Sequence, residues 1–235
     1  LKIKDINNMG EYYTWINIDK REYLEPFDFD YGGKFHESGH RTNEMMEALY
    51  NLLSSDWKNC RIGWIGDECS VPQDIHSDFF DVLQSQNSET EGIYEIRDIA
   101  LELYKNISCL FKSSEEKVRE NIEGELECLK EGYEDIYDEY GVLQKDDPYE
   151  GMFQRDGMTF KYIINYTKKV CYNFEQTKIL QLDGSENDFF DPLPILMGYG
   201  RVTNKKPGEW LGDIIGVANT IDDSIKILDY IYLDW

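Results

Sequence analysis

The sequence predicts an α+β protein. Its sheet is mainly antiparallel and built from both chain ends, with an antiparallel helical hairpin inserted between them. Three observations carry this expectation. First, a motif pair occurs twice: Trp15-Ile16-Asn17-Ile18-Asp19-Lys20-Arg21 with Trp64-Ile65-Gly66-Asp67, and Ile163-Ile164-Asn165-Tyr166-Thr167-Lys168-Lys169 with Trp210-Leu211-Gly212-Asp213. The Asn positions lie 148 apart and the Trp positions 146 apart, which fits a partial internal duplication. Second, both ends are rich in aromatic and β-branched residues. Third, the middle switches to apolar residues every three or four positions, the helical period.

In chain order, residues 11–18 read as a strand, followed by a polar turn at Asp19-Lys20 and a second run at 21–24, a β-hairpin. Pro26, Gly32, Gly33 and Gly39 make 25–41 a loop. Thr42 reads as the N-cap of a helix over 43–54, with Met46, Leu49, Tyr50 and Leu53 on one face. A strand over 61–65 ends at Gly66-Asp67, and a short helix after Pro72 carries Phe79, Phe80 and Leu83. Ile93, Ile96, Ala100, Leu103, Ile107 and Leu110 then predict a helix over 92–111. Val118, Ile122, Leu126, Leu129, Tyr133, Ile136 and Tyr140 predict a second over 115–140, stopped by Gly141. A second hairpin is expected at 160–166 and 170–174, and a last strand over 225–233. One domain spans 1–235, with an N-terminal part at 9–88, the acidic hairpin insertion at 89–147 and a β-rich part at 158–235.

Composition narrows the function. The 235 residues hold 17 Tyr, 11 Phe and 5 Trp, enough to bury a full core. Lys and Arg number 24 against 47 Asp and Glu, a net charge of −23. Residues 89–150 alone hold 19 acidic and 7 basic residues, a net of −12 and half of the excess. Such a field repels nucleic acid and anionic membrane and attracts basic surfaces. The five Cys (60, 69, 109, 128 and 171) are scattered, odd in number and form no C-x-x-C, which predicts a reduced, cytoplasmic chain. No apolar run reaches the length of a membrane span.

Three groups of residues are candidates for function. His36-Glu37-Ser38-Gly39-His40 spells H-E-x-x-H, whose zinc chemistry needs His36 and His40 on one helical turn. Glycines interrupt the segment and no third ligand follows by spacing, so the expectation is no metal and no cofactor. Asn17, Lys20 and Asp67, with Asn165, Lys168 and Asp213, have two readings. They converge on a small polar site, or they are turn and strand-end residues. The acidic helix offers Glu115, Glu116, Glu120, Glu123, Glu127, Glu131, Glu134, Asp135, Asp138 and Glu139, all off its apolar stripe. Such a face either keeps a helix soluble or lures a basic partner.

Several motifs occur together. They are Met9-Gly10-Glu11-Tyr12-Tyr13, then Asn17, Lys20, Glu22-Tyr23-Leu24 and Pro26, then Gly33-Lys34 and Glu37. In the second half stand Tyr162, Asn165, Thr167, Lys168 and Lys169, then Pro192-Leu193-Pro194 with Trp210 and Asp213. With these motifs the chain resembles an uncharacterised, largely bacterial protein family; the match covers both ends and not the helical middle. The resemblance implies no activity. It departs from the family pattern before the last Trp, where a dense glycine run is thinned to Gly198, Gly200 and Gly208. The function expected from charge and compartment is an acidic protein-binding inhibitor, of immunity or phage anti-defence type and anti-CRISPR-like in its mode of action. Its partner is a basic protein, a nuclease or other nucleic-acid-binding enzyme, with no direct contact to nucleic acid or membrane. The alternative is a hydrolase or small-ligand binder using the Asn/Lys/Gly-Asp motifs or the His36–His40 loop.

Overall fold

The computed structural model describes residues 10–35, 37, 39–75, 77–90, 95–132, 149, 151–201, 203 and 206–233. It has the expected α+β architecture with antiparallel pairing dominant. The first hairpin forms as β1 (Tyr13–Asn17) and β2 (Glu22–Leu24), followed by α1 (Glu44–Ser54), β3 (Ile62–Gly66) and α2 (Asp78–Asn87). Then come α3 (Ile96–Leu103), β4 (Lys105–Asn106) and α4 (Glu115–Gly132). The remainder holds β5 (Tyr162–Asn165), β6 (Val170–Tyr172), β7 (Lys178–Gln181), α5 (Leu193–Met197), β8 (Gly198–Tyr199), β9 (Ile215–Ala218), β10 (Lys226–Ile227) and β11 (Tyr230–Leu233). Among the described residues no helix is long and apolar enough to cross a membrane.

Among the described residues three sheets form, ordered β4-β2-β1-β3-β8, β10-β6-β5-β9 and β11-β7. The first uses both faces, because side chains alternate along a strand. Tyr13, Trp15 and Trp64 enter the main core with α1, while Ile16, Ile18 and Ile65 enter a second core with Phe79, Phe80, Leu83, Ile96 and Ala100 from α2 and α3. The Trp15 and Trp64 rings lie 5.0 Å apart on directly paired residues.

A structural repeat is visible, but not where the motifs place it. β2-β1-β3 and β6-β5-β9 share order and antiparallel sense. Asn17 pairs with Ile62, and Asn165 with Ile215. The amide of Ile18 donates to Arg61 O at 3.2 Å, and that of Tyr166 to Ile214 O at 2.9 Å. Arg61 N donates to the side chain of Asp19, and Ile214 N to that of Thr167. Arg21 and Lys169 both take left-handed conformations, φ 53° and 56°. Arg61 and Ile214, equivalent positions, then pair antiparallel with each other, joining the two units about a local dyad. The second motif is a false twin. Trp64 lies inside β3, whereas Trp210 lies in the turn before β9; the strand equivalence is Ile62 with Ile215, not Trp64 with Trp210.

The expected helical hairpin is corrected. The helix over 92–111 shortens to α3, because Tyr104 leaves helical geometry at φ −109° and ψ 156°. β4 then adds in parallel to β2, with Lys105 N donating to Arg21 O and Ile107 N to Tyr23 O. Two 3-10 turns at 108–110 and 112–114 carry Phe111 into the main core. The apolar spacing was real, but its residues face a sheet and a core rather than a partner helix. α3 therefore belongs to the N-terminal sheet, and of the predicted insertion only α4 stands apart; positions 133–140 lie outside the described residues. Smaller differences are local. Asn43 rather than Thr42 caps α1, accepting from Met46 N at 2.7 Å. The last strand divides at Leu228-Asp229, so that β10 joins one sheet and β11 another.

Candidate functional site

Both Asn turns are built alike. Asn17 Oδ1 accepts from Asp19 N at 3.0 Å and Lys20 N at 2.9 Å; Asn165 Oδ1 accepts from Lys168 N at 2.9 Å. Both Asn are fully buried, which makes these Asx turns the hinges of the two hairpins. The copies then diverge. Asp213 accepts from Asn165 Nδ2 at 2.7 Å and from Lys168 Nζ at 2.6 Å. Asp67 instead bonds Tyr12 through both side chain and backbone, at the opposite end of β1 from Asn17, roughly 15 Å of strand away. In the first copy, Asp19 takes the turn's ionic role with Arg61; burial would raise its carboxyl, but the Arg61 bonds and charge hold it below the usual range. The six motif residues thus form two turn clasps and one strand-end clasp, not one site. Asn165→Ala is expected to lose the Lys168 N bond and leave Asp213 short of a partner. That should cost about 1–2 kcal/mol in urea unfolding, with Asn17→Ala showing a loss of the same order.

A third node ties the N-terminal motif to the thinned glycine segment. Glu11 is buried and accepts from Arg201 N at 2.7 Å, from the Tyr13 hydroxyl and from Cys69 Sγ at 3.5 Å. Gly200 passes so close that a Cβ there would strike the Tyr13 hydroxyl, and one at Gly208 would strike the carbonyls of Ile195 and Leu196. The glycines retained before Trp210 therefore serve backbone packing.

Glu37, Gly39 and His40 of the H-E-x-x-H segment are not helical. His40 is exposed, stacked on Phe190 at 4.9 Å between centroids and bridged to it by backbone pairing; His36 lies outside the described residues. No three His, Cys, Asp or Glu gather in metal geometry among the described residues.

The acidic helix is better defined. Its start is pinned to the body: Asn121 Nδ2 and Asn106 Nδ2 donate to buried Asp28 at 3.1 and 2.8 Å, and Val118 is buried. Beyond that turn Glu123, Gly124, Glu125 and Glu127 are exposed, and a Cβ at Gly124 would have nothing within 4 Å. Glu115 pairs with Arg119 at 2.8 Å and Glu120 with Lys117 at 2.9 Å, and Glu123 accepts from Tyr149 at 3.1 Å. Glu116, Glu125 and Glu127 are exposed without an ion pair among the described residues. Glu125 was not singled out by the sequence. Glu131 lies on α4, and Glu134, Asp135, Asp138 and Glu139 lie outside the described residues.

Two features have no sequence signal. Asp191, buried with 1% of its surface exposed, accepts from the Tyr50 and Tyr172 hydroxyls and from Leu193 N at 2.9 Å, joining α1, β6 and α5. Burial pushes its carboxyl up to about 7, against the Leu193 amide and the charge of Arg41. Separately, a groove of about 610 Å³ lies where Leu182, Pro207, Trp210, Leu228, Tyr230 and Tyr232 meet. Leu182, Tyr230 and Tyr232 are each at least half exposed and border the same groove. Comparison with family models, with curated proteins and with solved structures found no match to this chain.

Proposed function

We propose that this protein is an acidic protein-binding inhibitor, of immunity or phage anti-defence type, that occludes a basic nucleic-acid-handling enzyme. The exposed face of α4 supports the reading. Glu116, Glu120, Glu123, Glu125 and Glu127 are exposed along the helix, and Glu116, Glu125 and Glu127 have no ion pair among the described residues. A row of helical carboxylates offers a basic groove the charge it expects from phosphates. Cys60, Cys109 and Cys171 form no disulfide among the described residues, which fits the reducing cytoplasm as the place of action. We also assign the chain to the uncharacterised bacterial family its motifs resemble; the burial of Glu11, Tyr13, Asn17 and Asn165 in shared clasps gives those motifs a structural reason.

The test is capture of a basic enzyme from a bacterial or phage lysate by the full chain, followed by assay of that enzyme's action on nucleic acid. The expected result is inhibition that weakens as salt rises from about 50 to 300 mM and is relieved by competing duplex DNA. Capture that ignores salt, or that leaves the enzyme's activity untouched, rejects the proposal.

A further inference from the structure

β11 pairs in parallel with β7 on one side only. Lys178 N donates to Asp229 O at 3.0 Å. Because backbone direction alternates along a strand, residues 229, 231 and 233 turn their amides and carbonyls to β7, and Tyr230 and Tyr232 turn theirs outward. Among the described residues nothing bonds those outward groups. Unpaired edges of this kind are templates for another strand unless charge, proline or a covering segment blunts them. Here the edge carries two tyrosines, 5.4 Å apart between ring centroids and both at least half exposed, and it borders the groove. The opposite wall is rigid, since Gly208 N donates to Gly198 O at 2.7 Å, Trp210 N donates to Leu196 O at 2.8 Å, and Gly208 lies flush against α5.

We propose that the free edge of β11 and its groove receive an extended, basic segment of the partner protein, added as a third strand beside β11. The main-chain bonds of Tyr230 and Tyr232 would supply affinity, and the apolar groove would take alternate side chains. For the partner's sign of charge the proposal rests on the protein-binding reading above. A second copy of the chain is disfavoured, because each copy brings a net charge of −23. A basic segment also meets Glu209 in the groove wall and Asp229 at the head of the strand, both exposed and without an ion pair among the described residues; Lys206 is the cation among the lining residues and sets where an acidic or neutral side chain of the segment would sit.

The probe is a display library of random peptides of about twelve residues, long enough for a strand with flanks, selected on the full chain. The best peptide is then synthesised and its affinity measured. Enriched peptides should be basic and free of proline at their centre. Tyr232→Pro removes an outward amide without touching the β7 ladder and should weaken the peptide about tenfold or more, the scale of one lost hydrogen bond in a dry site. Tyr232→Phe keeps amide and ring and should bind within about threefold of the parent. Tyr230→Lys, which puts a cation in the path of a basic strand and leaves the backbone intact, should also weaken binding and covers the case in which the proline variant fails to fold. No enrichment over a blank surface, enrichment of acidic peptides, equal binding by Tyr232→Pro and Tyr230→Lys, or a dimer of the chain that these variants dissociate would each overturn the proposal. Charge reversal on α4 should leave the peptide's affinity unchanged. An α4 result therefore judges the inhibitor reading, and a β11 result judges this one.

Discussion

Replacing Asp191 by Asn should remove a pH dependence from the stability of the fold. In the native protein its carboxyl is pushed up to about 7 by burial, from an ordinary value of 3.8. The folded state therefore holds this proton more tightly than the unfolded chain does. The resulting stability is fully present below about pH 4 and is lost as pH rises through about 7. Between pH 5 and pH 8 the loss reaches at most about 2–3 kcal/mol. The figure is an upper bound, because the Tyr50 and Tyr172 hydroxyls both donate to Asp191 and such bonds favour the ionised form. Asn keeps the shape and accepts from one hydroxyl, but it does not titrate. Urea midpoints at the two pH values should converge for Asp191→Asn and stay apart for the parent; parallel pH slopes would rule the account out. Asp191→Ala is harsher at either pH. It strands two buried tyrosine hydroxyls at the junction of α1, β6 and α5 and should cost about 3 kcal/mol or more.

That junction also shows what sequence reading can and cannot reach. Asp191-Pro192 looks like a turn, and nothing local says that tyrosines from positions 50 and 172 will meet there. The hairpins were legible because Asn at a turn after a β-branched run has a local cause: Asn17 and Asn165 close their turns with their own side chains. Helix α1 was legible for the same reason, as its apolar face lies within a dozen residues, although its cap is Asn43 and not Thr42. The helix expected over 92–111 failed at Tyr104 because Ile107 and Phe111 have the spacing of a helix but the burial of a sheet-edge segment turning into the core. Only the long-range pairing of β4 with β2 decides between them. The repeat of Trp-x-Gly-Asp misled in the opposite way. Composition matched, but one copy is a strand and the other a turn, with Gly212 at φ +86°. The groove was invisible for a related reason, since its walls come from Leu182, from Pro207 to Trp210 and from β11.

Reversing charge at Glu116, Glu125 and Glu127 to Lys should cut association with a basic partner by about ten- to a hundredfold at low salt, mostly through a slower on-rate. The three positions are exposed and outside any ion pair among the described residues, so each change is expected to alter stability by less than about 0.5 kcal/mol. The net charge of −23 becomes −17, since each Glu→Lys adds two. If the whole-molecule field were responsible, three reversals at scattered acids elsewhere on the body, such as Asp183, Asp188 and Asp223, would weaken binding to the same degree. If α4 itself fills the partner's groove, they would not, and the difference between the two triple variants would persist above about 0.3 M salt, where long-range steering is screened but direct contact is not. Stopped-flow association measured for both triples across salt separates the two cases. Equal losses would assign the effect to bulk charge, and the docking role of α4 would fall.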